Sequence, residues 1–220
     1  MICLLCSQHF NSKEKFSNLF FLRKSSKAIC TDCQRRFERI GSKHCPTCFR
    51  PNIDKICLDC QTWQEKGHRI NHCALYGYNE AMKDYFSKYK FQGDMLLSKV
   101  FAKQVKKALN SYKGYTIIPV PVSKERYRER QFNQVSALLD AAGISYINLL
   151  ERKDADKQSS KSRQERLTSK NLFYINTDHN LPEKVLIVDD IYTTGATLQH
   201  IVSLFSKHGK DDVKTFSIAR

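Results

Sequence analysis

The pattern of apolar and polar residues is clearest in the second half of the chain. From residue 116 onward, short apolar runs alternate with segments whose apolar residues recur at helical spacing. This pattern predicts strands at 116–119, 146–150, 185–188 and 213–218, with helices at 132–142 and from 198 onward. Such alternation predicts right-handed βαβ crossovers and a mainly parallel sheet.

One more strand and two helices are predicted just before this alternation. Residues 72–78 favour a strand or hairpin, and Asn79 is placed to cap a helix that runs through Tyr89. Gly93-Asp94 should end that helix. Helical spacing then resumes over 95–109, with most lysines away from the apolar stripe.

Residues 1–63 show few such patterns and are dominated by cysteines. Two Cys-x-x-Cys pairs can bring four thiolates to one ion, which is the usual shell of structural zinc. A disulfide framework is the alternative, but the start of the chain shows no secretory signal, so reduced thiols are expected. The pairs are Cys3 and Cys6, Cys30 and Cys33, Cys45 and Cys48, and Cys57 and Cys60.

We therefore expect about two structural zinc ions. A sequential grouping gives the first two pairs to one ion and the last two to the other, and a cross-braced grouping stays open. Phe16 and the run Leu19–Leu22 should pack around the metal sites, and Cys73 should be a small buried apolar residue. The length of 220 residues suits a double zinc-ribbon-like module over 1–63 and an α/β domain over 64–220. No apolar run is long enough to predict a transmembrane segment.

The run Val185–Thr197 carries the strongest candidate chemistry. Its four branched apolar residues predict a central strand of a parallel sheet, covered on both faces. Asp189 and Asp190 then stand at the carboxyl end of that strand, where open α/β sheets bind ligands. Adjacent carboxylates suit paired ribose hydroxyls, and the turn Thr193–Thr197 with the following helix start can hold a phosphate. An ordinary strand followed by a capped helix is the alternative.

This run resembles the PRPP signature of type I phosphoribosyltransferases. The resemblance implies a Rossmann-like phosphoribosyltransferase domain that binds PRPP or a ribose 5-phosphate-like ligand, with Mg²⁺. It implies that Asp189 and Asp190 are the catalytic pair and hold the ribose hydroxyls. The 5-phosphate would be bound by Thr193, Thr194, Gly195, Ala196 and Thr197.

Two basic segments are candidates for contacts with pyrophosphate or DNA. The loop after the 116–119 strand carries Arg126, Arg128 and Arg130, whose forked donors suit phosphates. A solvated helix start is the alternative. The polar stretch 151–171 corresponds to the loop that closes over PRPP in type I phosphoribosyltransferases, and its candidates are Lys161, Arg163 and Arg166. An ordinary exposed loop is the alternative there.

Essentially the whole chain resembles the ComF family of competence proteins, the ComFC type in particular. The resemblance is carried by the cysteine pairs, a Pro-x-Pro loop, the run Arg130–Gln134, a basic loop with Gln158 and Arg166, and the PRPP signature. The usual motif of the family is Arg-Gly-Phe-Asn-Gln, and in this chain Gln131 stands at the position of its glycine. The resemblance implies a late competence protein for natural transformation. It would act on the cytoplasmic side, peripheral to the DNA-uptake machinery, on imported single-stranded DNA and beside the ComFA helicase-like ATPase.

The net charge of +15 also favours polyanionic partners. In the run 85–91, aromatic residues alternate with lysines, as in platforms that stack single-stranded bases. Phe86 and Tyr89 also fit the core face of a helix, so we assign them to the core. Tyr85, Lys88 and Lys90 are then the candidate DNA contacts.

Two other functions stay open on the sequence alone. One is a salvage or biosynthetic phosphoribosyltransferase, and the other is a non-catalytic regulator that senses PRPP or a nucleotide. The cysteine pairs and the excess positive charge favour the competence function over the salvage enzyme. The sequence does not decide whether turnover occurs or which acceptor is used. Any cover over the ligand should come from the zinc module and residues 76–109.

Overall fold

The computed structural model describes residues 1–11, 27–153, 172–176 and 180–220. The helices are α1 (Thr31–Arg35), α2 (Leu58–Glu65), α3 (Glu80–Phe91), a 3-10 helix (Met95–Val100), α4 (Ala102–Leu109), α5 (Lys124–Arg130), α6 (Gln134–Ala142) and α7 (Ala196–Lys207). The strands are β1 (His72–Tyr76), β2 (Thr116–Pro119), β3 (Leu150–Arg152), β4 (Phe173–Ile175), β5 (Lys184–Ile191) and β6 (Asp212–Ala219).

The main sheet has four parallel strands in the order β1-β6-β5-β2. Strand β5 is central, as its unbroken apolar run predicted. Its side chains alternate between two cores: Leu186 and Val188 pack with α3, α4 and α6, whereas Val185 and Ile187 pack with α7 and Trp63. The prediction of a mainly parallel α/β sheet is confirmed.

Helix α3 begins where the sequence predicted. The Asn79 side chain accepts a hydrogen bond from the Met82 amide at 3.0 Å and caps the helix. Phe86 and Tyr89 are buried, as expected. The assignment of Tyr85 to DNA contact was wrong, because Tyr85 is fully buried and its hydroxyl donates to the Leu97 carbonyl at 3.2 Å. Tyr85 and Tyr89 lie one helical turn apart, so both face the core.

The remaining elements differ from the predictions mainly in their bounds. The helical spacing over 95–109 is divided at Phe101 into the 3-10 helix and α4. The strand predicted at 146–150 begins at Leu150, and it pairs with β4 in a separate antiparallel sheet. Cys73 lies on β1 and is half-buried.

The cysteine-rich part packs against both cores of the sheet. Phe37 lies in the core of α3, with its ring 4.9 Å from that of Phe101 and 6.3 Å from that of Tyr85. Trp63 lies in the opposite core, on the α7 side. The division of the chain near residue 63 stays a prediction.

Some predicted residues fall outside the described part of the chain. They are Phe16, Leu19–Leu22, Gln158, Lys161, Arg163 and Arg166, and their assigned roles stay predictions. Among the helices that the structure describes, none has the length and apolar character needed to cross a membrane.

Candidate functional site

Eight cysteines come together in two groups, and the grouping is sequential rather than cross-braced. In each group the Sγ atoms lie within 4.8 Å of one another. We call Cys3, Cys6, Cys30 and Cys33 the first cluster, and Cys45, Cys48, Cys57 and Cys60 the second cluster.

The spacing of the sulfur atoms fits structural zinc. The Sγ atoms of Cys6 and Cys30 are 3.9 Å apart in the first cluster, and those of Cys48 and Cys57 are 3.6 Å apart in the second. A tetrahedral site with Zn–S bonds of about 2.3 Å places its sulfurs about 3.8 Å apart. No disulfide joins these cysteines, so all eight are available as metal ligands. Both clusters can therefore hold zinc.

Each cluster is built from one tight turn and one helix start. The turn in the second cluster is closed by a hydrogen bond from the Phe49 amide to the Cys45 carbonyl at 3.0 Å, and Phe49 has φ 61°. Cys57 is the N-cap of α2, which places Cys60 in the first helical turn. Cys30 has the same position at α1. Helix N-termini favour negative charge and so favour thiolates.

Asp189 and Asp190 lie at the carboxyl end of β5, as predicted. The Asp190 carboxylate forms an ion pair with Lys90 Nζ at 2.6 Å, and both side chains are 16% exposed. Lys90 reaches the site from α3, whereas the sequence had assigned it to DNA. Burial and the neighbouring Asp190 charge raise the pKa of Asp189 to about 7. This pair is therefore a charged, partly desolvated site, which fits a polar ligand.

Further cations surround these two aspartates. Arg130 is buried, and burial lowers its pKa while the nearby Asp190 charge raises it. Arg152, on β3, is close enough for its charge to favour ionised Asp189. Arg126 and Arg128 instead lie exposed on α5. The three arginines predicted as one group thus have different environments: Arg130 is buried and feels the Asp190 charge, whereas the other two are exposed.

Gln131 occupies the position where the family pattern has glycine. It is the C-cap of α5, with φ 65° and ψ 5°, and its amide donates to the Tyr127 carbonyl at 2.7 Å. This left-handed conformation is the one that glycine adopts most easily. Gln131 therefore adopts the left-handed conformation that the family's glycine would favour, although it carries a side chain.

Residues 193–197 form what we call the phosphate loop, which comprises the turn that follows β5 and the first two residues of α7. Gly195 has φ 82°, and a Cβ added there would lie 2.2 Å from the Tyr192 hydroxyl oxygen, so only glycine fits. Among the described residues, none accepts a hydrogen bond from the amides of Thr193, Thr194 or Gly195. These donors stand at the start of the twelve-residue helix α7. Free amides at a helix N-terminus are suited to binding a phosphate.

A cleft of about 450 Å³ lies beside the phosphate loop. Its volume is in the range of small-molecule sites. Its walls come from the turn of the second cluster, from α2, from the loop after β1, and from the phosphate loop itself. The residues that line it are Arg50, Pro51, Asp59, Tyr78, Thr193, Thr194 and Arg220.

Two residues that the sequence did not single out join the second cluster to the phosphate loop. Trp63 Nε1 donates to the Thr194 carbonyl at 2.8 Å. Arg220 Nη1 donates to the Thr193 carbonyl at 2.6 Å, while its Nε and Nη2 lie 3.4 and 3.3 Å from Cys48 Sγ. The one feature of the sequence that could have indicated a role for Trp63 is its position three residues after Cys60. Nothing in the sequence marked Arg220.

These features define a class: an α/β protein with two four-cysteine clusters that can hold metal and a candidate phosphosugar site at the carboxyl edge of its parallel sheet. No protein-family model matches the chain. Over all of its 220 residues the chain is 46% identical to Competence protein ComFC of Streptococcus pneumoniae, and the alignment covers that protein fully. It is 33% identical to Competence protein ComFC of Bacillus subtilis, over all of this chain and 95% of that one. The chain belongs to the ComFC family of competence proteins.

A solved structure of a hypoxanthine phosphoribosyltransferase from Staphylococcus aureus also matches part of the chain. The match covers 55% of this chain and 60% of that one, at 17% identity and a TM-score of 0.29. A likeness of that size carries no argument about the fold or the ligand.

Proposed function

We propose that this protein serves natural transformation by binding PRPP, or a ribose 5-phosphate-like ligand, while it handles incoming single-stranded DNA on the cytoplasmic side. Its relatives' name, competence protein, supports the biological role. The observation that carries the ligand assignment is the placement of Asp189, Asp190 and the phosphate loop together at the carboxyl end of β5.

Each part of the site has a distinct task in this proposal. Asp189 and Asp190 accept hydrogen bonds from the ribose hydroxyls, and the phosphate loop donates amides and hydroxyls to the 5-phosphate. Lys90 and Arg130 provide positive charge beside the aspartates, where the pyrophosphate of PRPP would lie with its Mg²⁺. If turnover occurs, pyrophosphate is displaced from C1 of PRPP, and these residues act by positioning and charge.

The two clusters provide structural zinc in this proposal. The ions would be held by the four thiolates of each cluster. A bound zinc would fix the turn and the helix start of a cluster relative to each other.

The exposed face of α5 is the best described candidate for DNA contact. Arg126 and Arg128 are exposed on either side of Tyr127, which is 51% exposed. Phe91 is 78% exposed and lies under the Arg130 guanidinium, 5.5 Å from it. Exposed aromatic rings between cations are typical of surfaces that bind single strands by stacking. Lys161, Arg163 and Arg166 stay candidates for the same role.

A calorimetric titration tests the ligand assignment. We expect PRPP to bind in the presence of Mg²⁺, and we expect the double variant Asp189→Asn, Asp190→Asn to bind at least tenfold more weakly. Each charged hydrogen bond lost is worth about 1.5–3 kcal/mol. Asp211→Asn, which changes an exposed carboxylate just before the amino end of β6, is the matched control. Absence of Mg²⁺-dependent binding by the unmodified protein would contradict the proposal.

Fluorescence anisotropy with a labelled, unstructured oligonucleotide tests DNA binding. Affinity should fall steeply with salt, with a log–log slope of about −0.7 for each phosphate neutralised. Tyr127→Ala should weaken binding about tenfold, because stacking is worth about 1–3 kcal/mol per base. Tyr174→Ala, at an exposed tyrosine on β4, should leave affinity unchanged. Equal effects of the two substitutions would exclude α5 as the stacking surface.

Gene deletion in a naturally competent host separates the alternatives. We expect reduced transformation with nearly normal growth, and co-purification with a ComFA-type ATPase from competent cells. A growth defect cured by a purine or pyrimidine, with transformation intact, would identify a salvage enzyme instead. DNA affinity that changes with PRPP in the absence of turnover would identify a sensing regulator.

A further inference from the structure

The side chain of Arg220 joins three parts of the molecule. It donates to Cys48 Sγ in the second cluster, to the Thr193 carbonyl in the phosphate loop, and to Asp59 Oδ2 on α2 at 3.5 Å. Only 7% of this side chain is exposed. A buried guanidinium with several acceptors is held rigidly, because its donors lie in one plane.

Helix α2 provides the second link between the same two parts. This short helix carries the metal ligand Cys60, the Arg220 partner Asp59 and the indole of Trp63. Trp63 is 2% exposed, and its Nε1 donates to the Thr194 carbonyl. Any movement of α2 that follows a change in the second cluster would therefore move a partner of the phosphate loop.

These contacts determine which way the loop amides point. Arg220 and Trp63 hold the carbonyls of Thr193 and Thr194 toward the second cluster. In a planar trans peptide, the carbonyl and the amide of the same peptide unit point in opposite directions. The amides of Thr194 and Gly195 are thus turned away from the cluster and left for a ligand.

The base of the loop is fixed by the same arginine. The Arg220 guanidinium lies 4.7 Å from the centre of the Tyr192 ring, and the Tyr192 hydroxyl sits under Gly195. The His72 ring packs 4.3 Å from the Tyr192 ring. The loop therefore rests on a packed group of side chains to which Arg220 belongs.

We propose that Arg220 and Trp63 are positioning residues through which the second cluster holds the phosphate loop in its ligand-binding shape. The inference rests on the proposed function for the identity of the ligand, whereas the coupling between cluster and loop is a separate claim. Because such coupling is reciprocal, phosphate bound at the loop raises the zinc affinity of the second cluster by the same factor by which zinc raises the affinity for phosphate. Metal loss from the first cluster stays unaffected.

Hydrogen exchange and metal release together test this coupling in the full chain loaded with zinc. For Arg220→Lys and Trp63→Phe, we expect about tenfold faster exchange in the peptide over 192–198, and faster zinc transfer from the second cluster to a chelator. Each phase of zinc release is assigned to one cluster by its loss in Cys48→Ser, which breaks the second cluster, or in Cys6→Ser, which breaks the first. Arg36→Lys is the control, because Arg36 is exposed and pairs with Asp84 away from the cleft, and both measurements should match those of the unmodified protein.

The single tryptophan adds a readout that needs no ligand. We expect Trp63 emission to shift when the second cluster loses its metal in Cys48→Ser, and to stay constant in Cys6→Ser. The inference would be overturned if both positioning variants exchanged hydrogen and released metal at the same rates as the unmodified protein. If Arg220→Lys fails to fold, Trp63→Phe decides the question, since it removes one N–H and keeps the ring buried.

The inference and the proposed function can fail separately. If the unmodified protein binds neither PRPP nor ribose 5-phosphate, the proposed function is wrong. The inference is still supported in that case if exchange over 192–198 and zinc release change together in the variants.

Discussion

The two cysteine clusters have the same ligand spacing but different surroundings. In the first cluster Cys6 is exposed and Cys30 is half-buried. In the second cluster all four cysteines are buried. The spacing of the Cys-x-x-Cys pairs predicts a metal site in both cases. It does not show which other part of the protein each site stabilises.

Each cluster lies beside a different half of the candidate ligand site. On the first-cluster side, Lys88 Nζ donates to the Leu5 carbonyl at 2.8 Å, so the N-terminal turn is attached to α3. The same helix carries Lys90 to Asp190. The second cluster instead contacts the phosphate loop through Arg220. The comparison indicates that the first cluster supports the aspartate end of the candidate site and the second cluster supports the end formed by the phosphate loop.

The largest effect is expected from breaking one cluster at a time. Cys48→Ser and Cys6→Ser should each release one zinc ion. Cys48→Ser should lower the free energy of unfolding by on the order of 4–5 kcal/mol and abolish phosphate binding, because a buried metal shell is lost. Cys6→Ser, at an exposed ligand, should cost about half as much. Elemental analysis and urea unfolding measure both quantities, and equal losses would show that the clusters are equivalent.

A smaller loss tests the phosphate end alone. Gly195→Ala combines a left-handed backbone with a clash against Tyr192, so we expect about 3 kcal/mol of destabilisation and weak phosphate binding. Gly209→Ala has a similar φ of 71° but open space around it, and should cost only about 1 kcal/mol. Unfolding curves of the two variants separate the clash from the strain. Similar costs would mean that the loop can move away from Tyr192.

The aspartate end of the candidate site should show a pH dependence that the phosphate-loop end lacks. The folded-state pKa of Asp189 is about 7, above the value of about 3.9 expected in the unfolded chain. Between these values the folded protein binds more protons, so this contribution to stability is full below about pH 4 and is lost as pH rises through 7. Asp189→Asn should flatten that decline, which a pKa rise from about 3.9 to about 7 limits to about 4 kcal/mol.

The free energy of unfolding is measured at several pH values for the unmodified protein and for Asp189→Asn. The difference between the two proteins removes the contribution of the cysteines, which both share. Lys90→Met should raise the pKa of Asp189 further, since the Lys90 charge lowers it. Affinity for ribose 5-phosphate should increase as pH rises through 7, because ionised Asp189 is the better acceptor. Parallel pH profiles for unmodified protein and Asp189→Asn would contradict the assigned pKa.

The smallest expected change is a gain in stability at the end of α5. Gln131→Gly should raise the free energy of unfolding by about 0.5–1 kcal/mol, because glycine adopts the left-handed C-cap with less strain. Gln92→Gly is the matched control. Gln92 is the C-cap of α3 with φ −93°, where glycine should be slightly destabilising. A loss of stability in both variants would show that the Gln131 side chain, which donates to the Arg128 carbonyl, outweighs the strain.

Local features of the site could be predicted from the sequence. The buried run Val185–Val188 fixed the central strand, and the aspartates and Gly195 follow it directly in the chain. The grouping of the cysteines also depends on short turns and nearby helix starts. Such features follow from spacing and conformational preference over a few residues.

Contacts between distant parts of the chain could not be predicted in the same way. Trp63 and Thr194 are 131 residues apart, and Arg220 and Cys48 are 172 residues apart. Lys90 reads in the sequence like the other lysines of its helix, and only the packing of α3 across the sheet brings it to Asp190. Tyr85 was misassigned for the same reason, since it is covered by the 3-10 helix and by Phe101.

The pairing of β1 with β6 determines when the main sheet can finish folding during synthesis of the chain. Strand β1 is an edge strand whose neighbour in the sheet is β6, and His72 and its partner Thr215 are 143 residues apart. At about 5–20 residues per second, a ribosome needs roughly 7–30 s to make that stretch. The second cluster, closed within a short stretch of chain, can take up zinc long before the phosphate loop exists. A nascent chain can therefore carry a zinc-loaded second cluster next to an unpaired strand, and during that interval the strand is exposed to aggregation and to chaperones.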